Sequence, residues 1–387
     1  MAGKESQMSR NPIFNDNRLK LGTFCTNGRG TTHSLATEAN KLTWPLALAV
    51  AQEVDRAGYE AVVPFARWKG YIKDKPGHVS GEVLDPFTWA AAIAQATDQV
   101  GVFVTSHAPT IHPIVAAKQT ATIDIISNGR LALNVVGGWN RPELETFGAP
   151  LREHDQRYDY LAEWLELLKQ LWTRGEEFDH HGAFFDVLAG FSNPKPVQRP
   201  HPPIMNAGHS DRGRRFACEH ADLCFIAIRS EAPEAVRAEV QKYKRTAREE
   251  FGRDVQVWAH TYVVQRDTQK EAEDFLHYYA VQHQDRESID ALIRLSVPEV
   301  QNMPLEAWEA VRTHYAAGYG GFPLVGTPER ICDRLTMLSD AGLDGVLLTW
   351  IDFGEGARSF NRDVLPLMEQ SGLRKSRSAA RRPRGEL

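Results

Sequence analysis

Several short stretches of this chain carry groups able to do chemistry, and most of them follow an apolar run. Thr26-Asn27-Gly28-Arg29-Gly30 and His33 follow the first run, and Ala66-Arg67-Trp68-Lys69 follow the second. Thr105-Ser106-His107 close the third, with His112 beyond. Asn134 lies in the fourth, ahead of Gly137-Gly138-Trp139-Asn140 and Glu143. Asn206-Ala207-Gly208-His209-Ser210-Asp211 end the fifth, Arg229 the sixth, and Trp350 and Asp352 the last. The set is rich in amides, imidazoles and aromatic rings and poor in clustered carboxylates. It holds no HExxH and no DxDxDG; a metal site needs three or four converging ligands, only His107, His112 and His209 could come together as one, and no metal is expected. A GxSxG elbow, GxGxxG and GxxxxGK[ST] are also missing, so serine hydrolysis, dinucleotide binding and a P-loop lack support.

Two stretches suit an anion. Ser210 follows a strand-like run and opens a helix, where free backbone N–H groups and the helix dipole favour a phosphate. Arg157 and Tyr158 open another helix, and the guanidinium plane can hold a phosphate with two hydrogen bonds. An ordinary helix cap at Ser210 and a surface ion pair at Arg157 explain the same residues, and at this level both readings stand. By the same logic Asn134 reads as a polar cap on a strand end, His107 as a hydrogen-bonded structural residue, and Trp68 and Trp139 as packing. Aromatic walls with few polar groups are also what ligand pockets use.

The elements that must position these residues follow a regular alternation. Strands are expected at Lys20–Cys25, Ala61–Phe65, Val100–Thr105, Arg130–Val136, Ile204–Ala207, Asp222–Ile228, Val255–Val264 and Gly345–Trp350. Helices are expected between them, among them Leu46–Ala57, Phe87–Ala96, Pro113–Ile126 and Asp155–Leu171, the last with Tyr158, Leu161, Leu165, Leu168 and Trp172 three or four apart. Eight apolar strands alternating with helices predict an α/β (β/α)8 TIM barrel, whose chemistry sits at the strand C-termini. The barrel is expected over 20–370, with rim insertions at 173–203, with room for a short hairpin, and at 285–325, a Gly-bearing candidate lid. Residues 1–19 read as a polar extension. Residues 374–387, with Arg374, Lys375, Arg377, Arg381, Arg382 and Arg384, read as a basic disordered tail.

Composition narrows the function class. The chain has 387 residues, 45 Lys+Arg against 50 Asp+Glu, and a net charge of −5. It therefore has no global cationic field for nucleic acid. No apolar run is long enough to span a membrane, and the polar start lacks a secretory signal core. Four scattered cysteines without a CxxC pair suggest reduced thiols and a cytoplasmic location.

The stretch AAKQTATIDIISNGRLALNVVGGWNRPELETFG, followed by RYDYLAEWLELLKQLW, resembles the luciferase-like flavin-dependent monooxygenases, and most of all their pyrimidine monooxygenase type. The resemblance runs from about Leu21 to Leu367. It implies a two-component enzyme: a separate flavin reductase supplies reduced FMN, O₂ reacts on this protein, and a small organic substrate is oxygenated. It implies FMN contacts at Ala66, Arg67, Asn134, Glu143, Arg157, Tyr158 and Ser210. Thr105, His107 and Asn134 become candidate catalytic groups beside the ring, and Trp68, Trp139 and His112 candidate pocket walls. His107 and His112 stand where the pyrimidine type has small or apolar residues, and Gly137-Gly138-Trp139 departs slightly from its TGW. An amide-containing or heteroaromatic substrate is expected, with an organosulfur (sulfone or sulfonate) substrate as the alternative. Deazaflavin-dependent hydride transfer is a further alternative on the same barrel. Family members are commonly homo-oligomers, dimers or tetramers.

Overall fold

The computed structural model describes residues 11–296 and 305–376. Its strands are β1 (Lys20–Phe24), β2 (Ala61–Val63), β3 (Gly101–His107), β4 (Leu131–Val136), β5 (Phe178–His181), β6 (Asp186–Gly190), β7 (Ile204–Asn206), β8 (Leu223–Ile226), β9 (Gln256–Gln265), β10 (Phe322–Gly326) and β11 (Gly345–Thr349). Eight of them pair in parallel in the ring order β1-β2-β3-β4-β7-β8-β9-β11, and β11 closes onto β1 through Lys20↔Gly345. This is the expected closed barrel, each strand lying within a residue or two of its sequence assignment.

Alternation along the strands sorts side chains to two cores. Ala61, Val63, Phe103, Ala132, Met205, Leu223, Trp258 and Leu347 fill the barrel, with Phe24 and Phe225 packed on them. Leu21, Val62, Val102, Val104, Leu133, Val135, Cys224, Val257, Ala259, Val346 and Leu348 point outward into the larger core under the helices. Residues two further along the inward face therefore reach the barrel mouth. These are Thr105 after Phe103, Asn134 after Ala132, His260 after Trp258 and Thr349 after Leu347.

Three sequence expectations need correction. Residues 11–19 are not a solvated extension. Asn11 opens the 3-10 turn Pro12–Phe14, which sends fully buried Ile13 into the barrel floor, and its Nδ2 donates to the Leu131 carbonyl at 2.9 Å. The tail does not begin at Arg374. That side chain is buried against Glu60 at 2.6 Å and also donates to the Gly58 carbonyl at 2.7 Å, while Lys375 pairs with Asp16. An arginine in a basic run reads as solvated until a buried carboxylate is found beneath it. Residues 1–10 and 377–387 lie outside the described residues.

The third correction concerns 285–325. Part of this insertion is sheet: β10 pairs in parallel with β9 from Phe322↔Thr261 to Gly326↔Gln265. β9 is ten residues long, and β8 covers only its first part, ending at Ile226↔Ala259. β11 occupies the other edge through Thr349↔Tyr262, so β10 continues the edge that β8 leaves. Helices Arg286–Ser296 and Leu305–Gly318 fill much of the rest, and residues 297–304 lie outside the described residues. The other insertion carries the antiparallel hairpin β5–β6, held where Glu163 accepts from the backbone of Ala183, Phe184 and Phe185.

Glu60 is fully buried and takes hydrogen bonds from Asn15, Asn17, the Leu21 N–H and Arg374, so removing the guanidinium strands its charge. Arg374→Ala is expected to lose about 3 kcal/mol of unfolding free energy in chemical denaturation. A chain ending at Leu373 should lose as much.

Candidate active site

At the mouth, Thr105 and Asn134 face each other across the β3–β4 register. Thr105 Oγ1 donates to the Pro64 carbonyl at 2.5 Å, so it can only accept from its neighbour, and Asn134 Nδ2 donates to it at 3.1 Å. That fixes the amide orientation. Asn134 Oδ1 is left buried without a hydrogen-bond partner. An orphaned buried acceptor costs free energy unless a ligand donor meets it.

Above Thr105 on the same strand face stands His107. Its Nδ1 lies 2.7 Å from Glu143 Oε1, and both groups are almost fully buried. Glu143 Oε2 also accepts from the Trp68 N–H at 2.9 Å. Burial opposes the charge on Glu143. The His107 hydrogen bond and charge, the Trp68 N–H and the Arg67 guanidinium outweigh that, and its carboxyl titrates below the usual range. The short helix Arg141–Thr146 thus ties the β4 loop to the β2 loop.

Arg67 lies over the rings of Phe65 and Tyr71, 4.6 and 4.2 Å from their centroids, and donates to the Ser80 carbonyl at 3.1 Å. It lines an open cleft of about 450 Å³ with Arg29, His33, Phe65, Ser80 and Asp285. Burial, then the charges of Arg67 and His78, push the His33 pKa down to about 3, so His33 is neutral beside the guanidinium. Ala66 is buried next to Arg67.

The two anion-suited stretches meet. Ser210 caps the helix Asp211–His220 by accepting from the Gly213 N–H at 3.0 Å. Tyr158 packs directly on this turn, because a Cβ at Gly213 would stand 2.2 Å from its Oη. A Cβ at Gly208 would stand 2.2 Å from the Gly213 carbonyl oxygen, so both positions require bare backbone. Arg157 donates to the Gly138 carbonyl at 3.3 Å and keeps its buried Nε unpartnered, as does Arg214 on the capped helix. The turn therefore combines a helix N-terminus and a hydroxyl with Tyr158 packed against it, while the Arg157 guanidinium reaches the Gly138 carbonyl and that of Arg214 pairs with Asp211.

A family model described as luciferase-like monooxygenase matches residues 19–345. This chain belongs to that family. It is 31% identical over 340 residues to the FMNH(2)-dependent dimethylsulfone monooxygenase of Pseudomonas putida, covering 86% of this chain and 89% of that protein. It is 30% identical over 358 residues to pyrimidine monooxygenase RutA of Allorhizobium ampelinum, covering 90% and 96%. Among solved structures, riboflavin lyase with modified FMN and riboflavin superposes with a TM-score of 0.80 at 23% identity, covering 92% of this chain and 93% of that one.

The luciferase-like barrel sets some of the sequence candidates apart. His112 caps the helix Pro113–Ile126, accepting from the Ile114 N–H at 3.3 Å, with its ring edge-on to Phe185 of the hairpin insertion. Trp68 is 48% exposed and packs edge-on against Phe147 at the rim, while Trp139 leans on Tyr71. Trp350 points outward to Phe353 and Phe360, and Asp352 caps the following helix. The inward residue of β11 is Thr349. It and His260 carry no motif, and only the two-residue period from Trp258 and Leu347 could have found them. No helix of the described residues is long and apolar enough to cross a membrane.

The ionised Glu143 stabilises the fold above its ordinary pKa, and that contribution is lost as pH falls through its lowered folded value. Glu143→Gln should therefore be less stable than wild type at neutral pH, with the gap closing below about pH 4. Denaturant midpoints at the two pH values measure it.

Proposed function

We propose that this chain is the oxygenating component of a two-component monooxygenase that takes reduced FMN from a separate flavin reductase and uses O₂ on a small organic substrate. The observation that carries it is the buried, partnerless Asn134 Oδ1 at the mouth of a luciferase-like barrel, an acceptor suited to an N–H of a flat heteroaromatic ring. The residues fit the cofactor at both ends. Asn134, with Thr105 orienting it, faces the ring, and Ala66, Arg67 and Glu143 shape the adjacent β2 and β4 loops. Ser210, Arg157 and Tyr158 hold the ribityl phosphate at the Gly208–Gly213 turn, where the helix N-terminus and the Arg157 guanidinium offset its charge.

Reduced FMN, when bound, supplies the two electrons that activate O₂ for transfer of one oxygen atom to the substrate. The protein orients the ring, excludes water and manages protons. Phe24, Phe65 and Phe225 make the platform apolar, and Tyr319, stacked on His33, and Gly321, beside His260, bring the described end of the 285–325 insertion to one side of the mouth. His107, held by the Glu143 carboxylate, is the group placed to donate or receive a proton above Thr105. Trp139, and Trp68 at the rim, wall the substrate approach, with His112 behind the β3 loop. An amide-containing or heteroaromatic substrate is the first reading, and 31% identity to a dimethylsulfone monooxygenase favours an organosulfur compound as the second. The same reading makes the enzyme a cytoplasmic homo-oligomer, testable by light scattering.

Anaerobic titration tests the cofactor. Reduced FMN should bind, and reduced deazaflavin cofactor should not; the reverse, without O₂ consumption, would replace the oxygenase with a hydride-transfer enzyme. Arg157→Ala should weaken reduced FMN binding about tenfold or more while leaving riboflavin, which lacks the phosphate, unaffected. His107→Ala should keep reduced FMN binding and lose turnover, and unchanged turnover would remove His107 from the chemistry.

A further inference from the structure

The barrel mouth carries a second polar pair that the proposed flavin contacts leave unused. Around the ring, β3–β4 and β9–β11 are separated by two strands on either side, so Thr105–Asn134 and His260–Thr349 face each other across the opening. Between them the inward face is aromatic: Phe24 on β1 contacts both Phe225 on β8 and His260, each at 5.4 Å between ring centroids.

Hydrogen bonding settles the state of His260. Thr349 Oγ1 donates its one proton to the Thr261 carbonyl at 3.1 Å. It therefore accepts from its other two neighbours, Thr31 Oγ1 at 3.0 Å and His260 Nε2 at 3.1 Å. His260 thus carries its proton on Nε2, and Nδ1 is a bare acceptor. Burial, with the His314 charge adding to it, pushes the His260 pKa down to about 3, so the ring stays neutral. Nδ1 has no hydrogen-bond partner among the described residues. Gly321, brought beside it by the β10 register, sets no side chain against the ring: a Cβ there would stand 2.9 Å from Nδ1 and 3.0 Å from Cε1.

On the reading given above, the flavin's hydrogen-bonding anchors lie away from this acceptor. Its ring acceptor is on β4, and its phosphate turn follows β7, the strand next to β4. Both ends are then held from one side of the mouth, and the β9–β11 side is open to the substrate. We propose that His260 is a substrate-recognition residue whose Nδ1 accepts a hydrogen bond from an N–H or O–H group, selecting protic substrates such as lactams and other secondary amides over aprotic ones such as dialkyl sulfones. A sulfone offers only acceptor oxygens, so it leaves Nδ1 unpaired and sets oxygen lone pairs against it. Thr349 and Thr31 are positioning residues that hold the tautomer. The inference rests on the flavin placement proposed above.

Two experiments separate the two readings. In flavin-free protein labelled with ¹⁵N-histidine, His260 should show a protonated Nε2 and an unprotonated Nδ1, and Thr349→Val should release that preference. A protonated Nδ1 in wild type overturns the proposal whatever flavin does. The reduced-FMN-loaded protein is then titrated under nitrogen with matched probes, read by the flavin spectrum and by calorimetry. The probes are uracil against 1,3-dimethyluracil, 2-pyrrolidone against its N-methyl form, and dimethyl sulfone. Wild type should prefer a protic member about tenfold or more over its methylated partner and over dimethyl sulfone. His260→Leu should bind reduced FMN as wild type does and lose the preference, and His260→Asn, which keeps an acceptor oxygen near the Nδ1 position, should restore part of it. Equal binding within pairs, tighter dimethyl sulfone, no protic probe bound, or a preference that survives in His260→Leu overturns it. Failure to bind reduced FMN instead strikes the monooxygenase reading.

Discussion

Closure of eight short parallel strands on themselves is the constraint from which the site follows. A closed barrel traps every second side chain of each strand inside a narrow space, and that space is filled by Ala61, Val63, Phe103, Ala132, Met205, Leu223, Trp258 and Leu347. Polar groups can enter only where the packing ends, one inward position above this layer. The mouth is therefore a single ring of side chains. Thr105 and Asn134 stand on one side, His260 and Thr349 on the other, and phenylalanines lie between.

Within that ring, orientation is set by donor and acceptor accounting. Two threonine hydroxyls each give their proton to a backbone carbonyl, Thr105 to Pro64 and Thr349 to Thr261. Each must then accept from its neighbour, and each neighbour is left with one acceptor unpaired. The same device, on opposite sides of the barrel, makes Asn134 Oδ1 and His260 Nδ1 into fixed acceptors. The loops add the groups that carry charge. Glu143 clamps His107 to the Trp68 backbone, Arg67 spreads across Phe65 and Tyr71, and the Gly208–Gly213 turn brings Ser210 against Tyr158.

The opposite end of the barrel is closed by parts of the chain that look dispensable. Ile13 plugs the floor, and the Glu60–Arg374 pair ties the start of the barrel to its end. The mouth is extended on one edge because β9 outlasts β8. The exposed edge is taken by β10, which also sets Gly321 beside His260.

Much of this was written in the sequence. Apolar strands alternating with helices specify parallel pairing under a helical layer, and eight such units specify closure, because these patterns reflect local propensity and burial. Ser210 before a helix and Asn134 at a strand end were legible for the same reason, as was the family through its run from Ala116 to Trp172. What tertiary structure alone decided is which groups meet. Arg374 reads as a solvated cation until Glu60 is placed beneath it, and Phe322–Gly326 reads as loop until the free edge of β9 is there to pair with. His112 and Trp350 look equivalent to His107 and Thr349 as residues near strand ends. They differ only in which way the side chain points, and that is set by strand register and the direction of each turn. The acceptor role of His260 depends on a hydroxyl proton donated 89 residues away in the chain, and no local pattern records such a contact.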